Sequence, residues 1–239
     1  MRTPFLNAHR GLCGLYPENT IISFRKALEL HPDFMEFDVH VTADEEIVIL
    51  HDDNVDRTTN GTGYVAEMLL DEVRALDAGS WMGPQFAGEK IPTLDEVFSL
   101  AEGKVVLHIE IKDSRAVLPV VRKIQDYNLV DKVMVLSFNS QDIVLAKAVC
   151  PALCTMLLRW LENPVDFQNL SREVLSSGAN WLGINHYVLT AESIRFLHSR
   201  GISVLGYTVN EPDRMRELAT AGVDAITSDF INILLDTLR

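Results

Sequence analysis

The chain has 239 residues, 47% of them hydrophobic and 23% charged, which is the balance of a globular protein and not of a disordered or fibrous one. No apolar run approaches the roughly 20 residues needed to span a bilayer, so insertion into a membrane is excluded. The formal net charge of −13 disfavours nucleic acid as a partner, and an anionic substrate would require something local to reverse the sign.

Short β-type runs alternate with helical patterns, which predicts βα units and a parallel sheet. A strand at Phe5–His9 leads to a helix capped by Asn19 or Thr20 and running to His31, with Ile21, Phe24, Ala27 and Leu28 on one stripe. A second strand at Phe34–Val39 is followed by a hairpin turn at Ala43–Glu46 and a return run, Ile47–His51. From Asp53 to about Pro92 the chain is turn-rich and irregular, and such a long excursion is read as a small functional insertion over one end of the sheet. Thr93-Leu94-Asp95-Glu96 is a capping box that opens a helix to Ala101. Further strands are predicted at Val105–Ile111, Val133–Ser137, Ala152–Leu157, Asn180–Ile184, Ile202–Tyr207 and Asp224–Thr227. Helices are predicted at Ser140–Val149, Thr190–Arg200 and Glu211–Ala221, the last two stopped by Gly201 and Gly222. The expected fold is α/β: a closed (β/α)8 TIM barrel, one catalytic domain over 1–239, with a small insertion after the second strand at about 53–92.

Cys13, Cys150 and Cys154 cannot all pair, and the C-x3-C spacing lacks partners for a structural zinc, so all three are read as buried small hydrophobes. The start Met1-Arg2-Thr3-Pro4 leaves no room for a signal peptide before a polar motif at His9, and a cytoplasmic location is expected.

In α/β barrels the chemistry sits where strands end. His9 and Arg10 end the first predicted strand. Glu36 and Asp38 end the second, two residues apart and therefore on one side of it. Glu110 and Lys112 end the third, and His51 closes the hairpin return. These seven residues are expected to converge on one rim. His31, His40, His186 and His198 are assigned to surface or structural hydrogen bonding, and His108 to packing between sheet and helix. Glu36, Asp38 and Glu110 would bring three negative charges into one small volume, where they repel unless neutralised. A divalent cation is the simplest solution, and hard oxygen ligands favour Mg2+ or Ca2+ over zinc. Ion pairing with Arg10 and Lys112 alone is the competing arrangement.

At these residues the sequence resembles the glycerophosphodiester phosphodiesterase family. The matching blocks are His9-Arg10-Gly11, Pro17-Glu18-Asn19-Thr20, Glu36-Phe37-Asp38-Val39 with Thr42 and Asp44, and His51-Asp52. Asp56-Arg57-Thr58-Thr59 with Gly61 and Gly63, Ile91-Pro92-Thr93-Leu94, Ile109-Glu110-Ile111-Lys112 and Ser137-Phe138 continue it in family order. The C-terminal part matches more loosely, through Tyr207-Thr208-Val209-Asn210 and Asp224 to Asp229. Tyr207 stands where many relatives have tryptophan, and Phe230 where a proline is usual.

The resemblance implies metal-dependent hydrolysis of a small-molecule glycerophosphodiester to an alcohol and sn-glycerol 3-phosphate. It implies that Glu36, Asp38 and Glu110 hold one divalent cation, Mg2+ or Ca2+. It gives His9 and His51 acid–base roles and assigns phosphate contacts to Arg10 and Lys112. Glu18 and Asn19 would support the first loop, and Phe138 and Tyr207 would line the alcohol side. Attack by water and attack by the glycerol 2-hydroxyl both remain open. A lysophospholipase D or phospholipase C-like activity would need an apolar funnel, for which Trp81-Met82-Gly83 and Phe86 are candidates. A non-catalytic phosphodiester-binding barrel is disfavoured because the whole set of residues is present.

Overall fold

The computed structural model describes residues 3–239. Its strands are β1 (Phe5–Ala8), β2 (Phe34–Val41), β3 (Ile47–Ile49), β4 (Val106–Ile111), β5 (Val133–Ser137), β6 (Cys154–Arg159), β7 (Trp181–Asn185), β8 (Ser203–Tyr207) and β9 (Ala225–Ser228). The helices are α1 (Ile21–Leu28), α2 (Leu70–Ala75), α3 (Leu94–Ala101), α4 (Val117–Asp126), α5 (Ser140–Val149), α6 (Phe167–Ser177), α7 (Ala191–His198), α8 (Pro212–Ala221) and α9 (Ile231–Leu238). Eight strands run parallel in the order β1-β9-β8-β7-β6-β5-β4-β2, and pairing of β1 with β2 closes the ring. The expected barrel is therefore the observed one. β3 lies outside the parallel ring, antiparallel to the extended end of β2, with Val39 opposite Ile49 and Val41 opposite Ile47.

Alternation along β2 explains how one strand carries both core and chemistry. Met35, Phe37, Val39 and Val41 face outward into the apolar layer beneath the helices, while Phe34, Glu36 and Asp38 face the barrel interior. The interior is apolar at its lower end, where Phe34, Met134, Met156, Leu158, Leu205 and Ala225 cluster, and turns ionic toward the carboxyl ends of the strands. Helix α1 seals the outside of β2. Thr20 caps it through Oγ1, which accepts from the Ser23 N–H, and Phe24 meets the Phe37 ring edge-on at 5.7 Å.

His108 corrects a sequence expectation. It lies two residues from Glu110 and so shares its face, inside the barrel and not between sheet and helix. Its ring stacks on Phe34 at 4.3 Å, neither nitrogen has a hydrogen-bonding partner, and burial pushes its pKa down to about 3. Cys150 is buried as expected, whereas Cys13 and Cys154 are partly exposed; all three are free thiols. Helices α4, α6 and α9 have no counterpart among the predicted elements, and α2 lies in the stretch expected to be irregular. In α4, Val117, Val120, Val121 and Ile124 form a helical stripe whose β-branched residues also suit a strand. The 53–92 segment builds a small core of its own from Val55, Val65, Val73, Ala78 and Ile91 against Val48 and Leu50 of the hairpin region. No helix among the described residues is long and apolar enough to cross a membrane.

Candidate active site

Glu36, Asp38 and Glu110 lie within strands and follow from strand phase, whereas His9, Arg10, His51 and Lys112 lie just beyond strand ends. Register sets Glu36 beside His108 and Asp38 beside Glu110, so the three carboxylates meet at the upper end of the β2/β4 pair. Oxygens of Glu36, Asp38 and Glu110 all lie within 4.8 Å of one another, and the three residues are 4%, 1% and 9% exposed. Burial, then Asp38 and Glu110, holds the Glu36 carboxyl well above its usual range. Burial and Asp38 likewise push Glu110 up to about 7 against the pull of Lys112. Asp38 is opposed by burial too, yet Arg10, Lys112 and His51 together hold it low. Glu36 Oε1 and Asp38 Oδ1 are buried and accept no hydrogen bond. Crowded carboxylate oxygens, two of them without a hydrogen bond, are what a cation would satisfy, so this donor set fits a divalent ion.

The cationic side is equally specific. Arg10 Nε lies 3.3 Å from Asp38 Oδ2, and the Arg10 amide donates to Glu36 Oε2 at 2.9 Å. Lys112 Nζ stands 2.5 Å from Glu110 Oε1 and 3.4 Å from Asp38 Oδ1. Glu18 accepts from Arg10 Nη1 at 2.8 Å, and Asn19 donates to Asp38 Oδ2 at 2.8 Å. This first loop needs glycine at position 11. Its φ is +82°, and a Cβ there would fall 2.7 Å from the Ser23 carbonyl carbon, inside the first turn of α1.

Both histidines carry an aspartate on the same ring atom. His9 Nδ1 lies 2.5 Å from Asp229 Oδ1, and His51 Nδ1 lies 2.6 Å from Asp52 Oδ1. An ionised carboxylate can only accept, so each Nδ1 donates, and in the neutral ring each Nε2 is left as the acceptor. Burial lowers the His51 pKa, with Arg10 and Lys112 adding to it and Asp38 opposing. His40, assigned to structural bonding, sits buried against the His51 carbonyl at 3.2 Å.

These groups border a cavity of about 220 Å3 with two chemical halves. His9, Arg10, Glu36, His51, Glu110 and Lys112 form the polar half; Leu136, Phe138, Leu158, Trp160, Leu205 and Tyr207 form the apolar half. Six of the seven predicted rim residues thus line one cavity, Asp38 joins them through the carboxylate cluster, and Phe138 and Tyr207 line the same cavity. Tyr207 donates its hydroxyl to the Arg159 carbonyl at 2.8 Å, which fixes the ring, and Phe138 meets it edge-on at 6.3 Å. The proposed funnel from Trp81, Met82 and Phe86 is absent from this cavity; Phe86 packs on Tyr16 at 5.7 Å. Asp229, Asp52 and Trp160 join the site with no role assigned to them by sequence pattern. The signal for the aspartates was a carboxylate at the end of β9 and another directly after His51; an exposed tryptophan just past β6 carries no such mark.

The glycerophosphoryl diester phosphodiesterase family matches residues 9–233. A relative from Caldanaerobacter subterraneus subsp. tengcongensis, named glycerophosphodiester phosphodiesterase, is 34% identical over 245 residues, 97% of this chain and 96% of its own. A Bacillus subtilis protein of the same name is 31% identical over 242 residues, 93% of this chain and 82% of its own. Among solved structures, an Oleispira antarctica phosphodiesterase in complex with the product sn-glycerol-3-phosphate superposes with a TM-score of 0.90 at 28% identity, over 98% of this chain and 96% of that one. With the barrel, the carboxylate cluster and these matches in agreement, the chain belongs to the glycerophosphoryl diester phosphodiesterase family.

Proposed function

We propose that this protein hydrolyses glycerophosphodiesters to an alcohol and sn-glycerol 3-phosphate, using two histidines and one divalent cation. The observation that carries the reading is the two-sided cavity, with buried carboxylates, two aspartate-backed histidines and two cations facing an apolar wall. The product bound to the Oleispira antarctica relative supports the same substrate class.

Glu36, Asp38 and Glu110 would hold the cation, Mg2+ or Ca2+, which when bound supplies Lewis-acid neutralisation of phosphate charge. Arg10, a rigid fork of donors, and Lys112, a point charge, bind the phosphate oxygens and the charge that grows on them. One histidine takes the proton of the attacking oxygen through Nε2. The other gives a proton to the departing alkoxide as the phosphorus–oxygen bond breaks. If the glycerol 2-hydroxyl attacks first, the two exchange roles for hydrolysis of the cyclic phosphate. Phe138 and Tyr207 receive the alcohol, while Glu18 and Asn19 steady the first loop.

A cavity of about 220 Å3 is smaller than the roughly 300–1,000 Å3 of drug-sized sites, which suits a head group better than an acyl chain. We read residues 1–239 as one catalytic unit that includes the 53–92 insertion. The free thiols and the net charge of −13 favour a reducing compartment such as the cytoplasm, with neither nucleic acid nor membrane as partner. A coupled assay for sn-glycerol 3-phosphate over a panel of deacylated phospholipids, with Mg2+, Ca2+ or chelator, tests the reading. Release is expected with a cation and not with chelator. No release with either cation, or faster turnover of lysophosphatidylcholine than of glycerophosphocholine, would overturn it.

A further inference from the structure

We propose that Arg57, in the insertion, is a positioning residue that locks the acid–base arm of the site to its phosphate-binding arm. The inference rests on the roles given above to His51 and Arg10.

Arg57 does not line the cavity, and its side chain is 44% exposed. Its guanidinium nevertheless serves two carboxylates at once. Nε donates to Asp52 Oδ2 at 2.6 Å and Nη2 to Asp52 Oδ1 at 3.1 Å. On its other edge, Nη1 donates to Glu18 Oε2 at 2.8 Å and Nη2 to Glu18 Oε1 at 2.8 Å. Each carboxylate then holds a working group. Asp52 Oδ1 accepts from His51 Nδ1 at 2.6 Å, and Glu18 Oε1 accepts from Arg10 Nη1 at 2.8 Å. The result is one unbroken chain, His51–Asp52–Arg57–Glu18–Arg10, with Arg57 at its centre.

The chemistry of the link is particular to arginine. Only a planar fork presents two edges, each matched to a carboxylate, whereas an ammonium is a single point. The bridge also keeps both carboxylates ionised. Hydrogen bonding to Arg57 is the leading reason that Asp52 lies below the usual range, and Glu18 is held low by Arg57 and Arg10 against its burial. Without Arg57, Asp52 and Glu18 would be neighbouring like charges, free to turn away from each other. His51 would lose the partner that fixes its ring, and Arg10 the one that aims its fork. A displacement near 1 Å can cost about a hundredfold in rate. The insertion therefore serves the chemistry directly, because it delivers a clamp that the barrel strands do not supply.

The test uses purified full-length protein and the Arg57→Ala and Arg57→Lys variants, with two readouts: turnover of glycerophosphocholine, and calorimetric affinity for sn-glycerol 3-phosphate. In Arg57→Ala, kcat/KM should fall about a hundredfold, with kcat lowered and KM raised because both arms loosen. Affinity for the product should weaken while the far-UV spectrum stays unchanged. Guanidinium ion at non-denaturing concentration should restore part of the lost rate; equal sodium chloride or urea should not. Arg57→Lys should recover only a fraction, and it alone decides the matter if the alanine variant does not fold. Unchanged kinetics and affinity in Arg57→Ala, full activity in Arg57→Lys, or a loss that guanidinium leaves untouched would overturn the proposal. A wild type that binds product yet turns nothing over would refute the hydrolytic reading instead, and the affinity comparison would still judge Arg57.

Discussion

Asp229 Oδ1 lies 2.5 Å from His9 Nδ1 across a separation of 220 residues. The two meet because β1 and β9 are neighbours, with Ala8 level with Ser228, so each residue is the first beyond its strand end. Asp229 is itself fixed, accepting from Asn210 Nδ2 at 2.7 Å and from Cys13 Sγ at 3.2 Å. Burial would raise its pKa, but His9, Asn210 and Cys13 outweigh burial and keep it ionised. Asp229→Asn would present an amide that can donate to Nδ1 and turn the imidazole toward the other tautomer. The expected result is a kcat lowered by about tenfold to a hundredfold with KM little changed. Steady-state kinetics at saturating cation decide it, and a kcat equal to wild type sinks the role.

His9→Ala and His51→Ala should each cut kcat at least about a hundredfold, the scale of a lost acid–base group. Both side chains border the cavity, so the fold should survive. Circular dichroism and thermal melts of the purified variants check the second statement. Near-normal turnover in either variant removes that histidine from the mechanism.

The carboxylate cluster is costly to ionise in full. Glu36 and Glu110 are held above their ordinary range by burial and by the neighbouring acids, which means that ionising all three is unfavourable in the folded chain without a counter-ion. Glu110→Gln should therefore melt at or above the wild-type temperature in chelator, while losing activity. Added Mg2+ or Ca2+ should raise the melting temperature of the wild type and barely move the variant, since only a ligand bound to the native state stabilises it. An equal cation-induced rise in both proteins would show that the ion binds elsewhere.

Asp77 governs a turn in the insertion. Its carboxylate accepts from the amides of Ser80 at 2.8 Å, Gly79 at 2.9 Å and Gly88 at 2.7 Å, and from Ser80 Oγ at 2.9 Å. These bonds hold its pKa below the usual aspartate value. A depressed folded-state pKa contributes stability that is complete above the unfolded value, near 3.9, and fades as pH falls toward the folded one. Proteolysis within 77–88 should accordingly rise as pH drops below about 4, with an acid-active protease as probe. In Asp77→Asn the same segment should be cut readily at neutral pH. Cleavage independent of pH in the wild type would contradict the argument.

Much of this was legible because strands state their own phase. Glu36 and Asp38 differ by two, and so do Glu110 and Lys112, so residues that end strands of a barrel are expected on one rim, and the pairing of β2 with β4 brings Asp38 beside Glu110. The same rule, applied correctly, also turns His108 inward beside Phe34; the exterior assignment missed that it shares the parity of Glu110. Helix α4 was hidden by the valines it shares with strands, and α6 and α9 likewise only declared themselves by packing on the barrel. The aspartates behind the histidines were harder still. Asp229 is silent until the last strand meets the first, and Trp160 reads as an ordinary loop residue until it is seen beside Tyr207 at 6.3 Å. Contacts made by closure of the sheet leave no local periodicity to read.

That closure also imposes an order in time. During synthesis β1 and His9 leave the ribosome 220 residues ahead of Asp229, which follows β9. A partly made polypeptide therefore carries the histidine without the carboxylate that orients it, and the edges of its sheet stand unpaired. If His9 acts with Asp229 behind it as proposed, chains that lack β9 would be spectators and not premature enzymes.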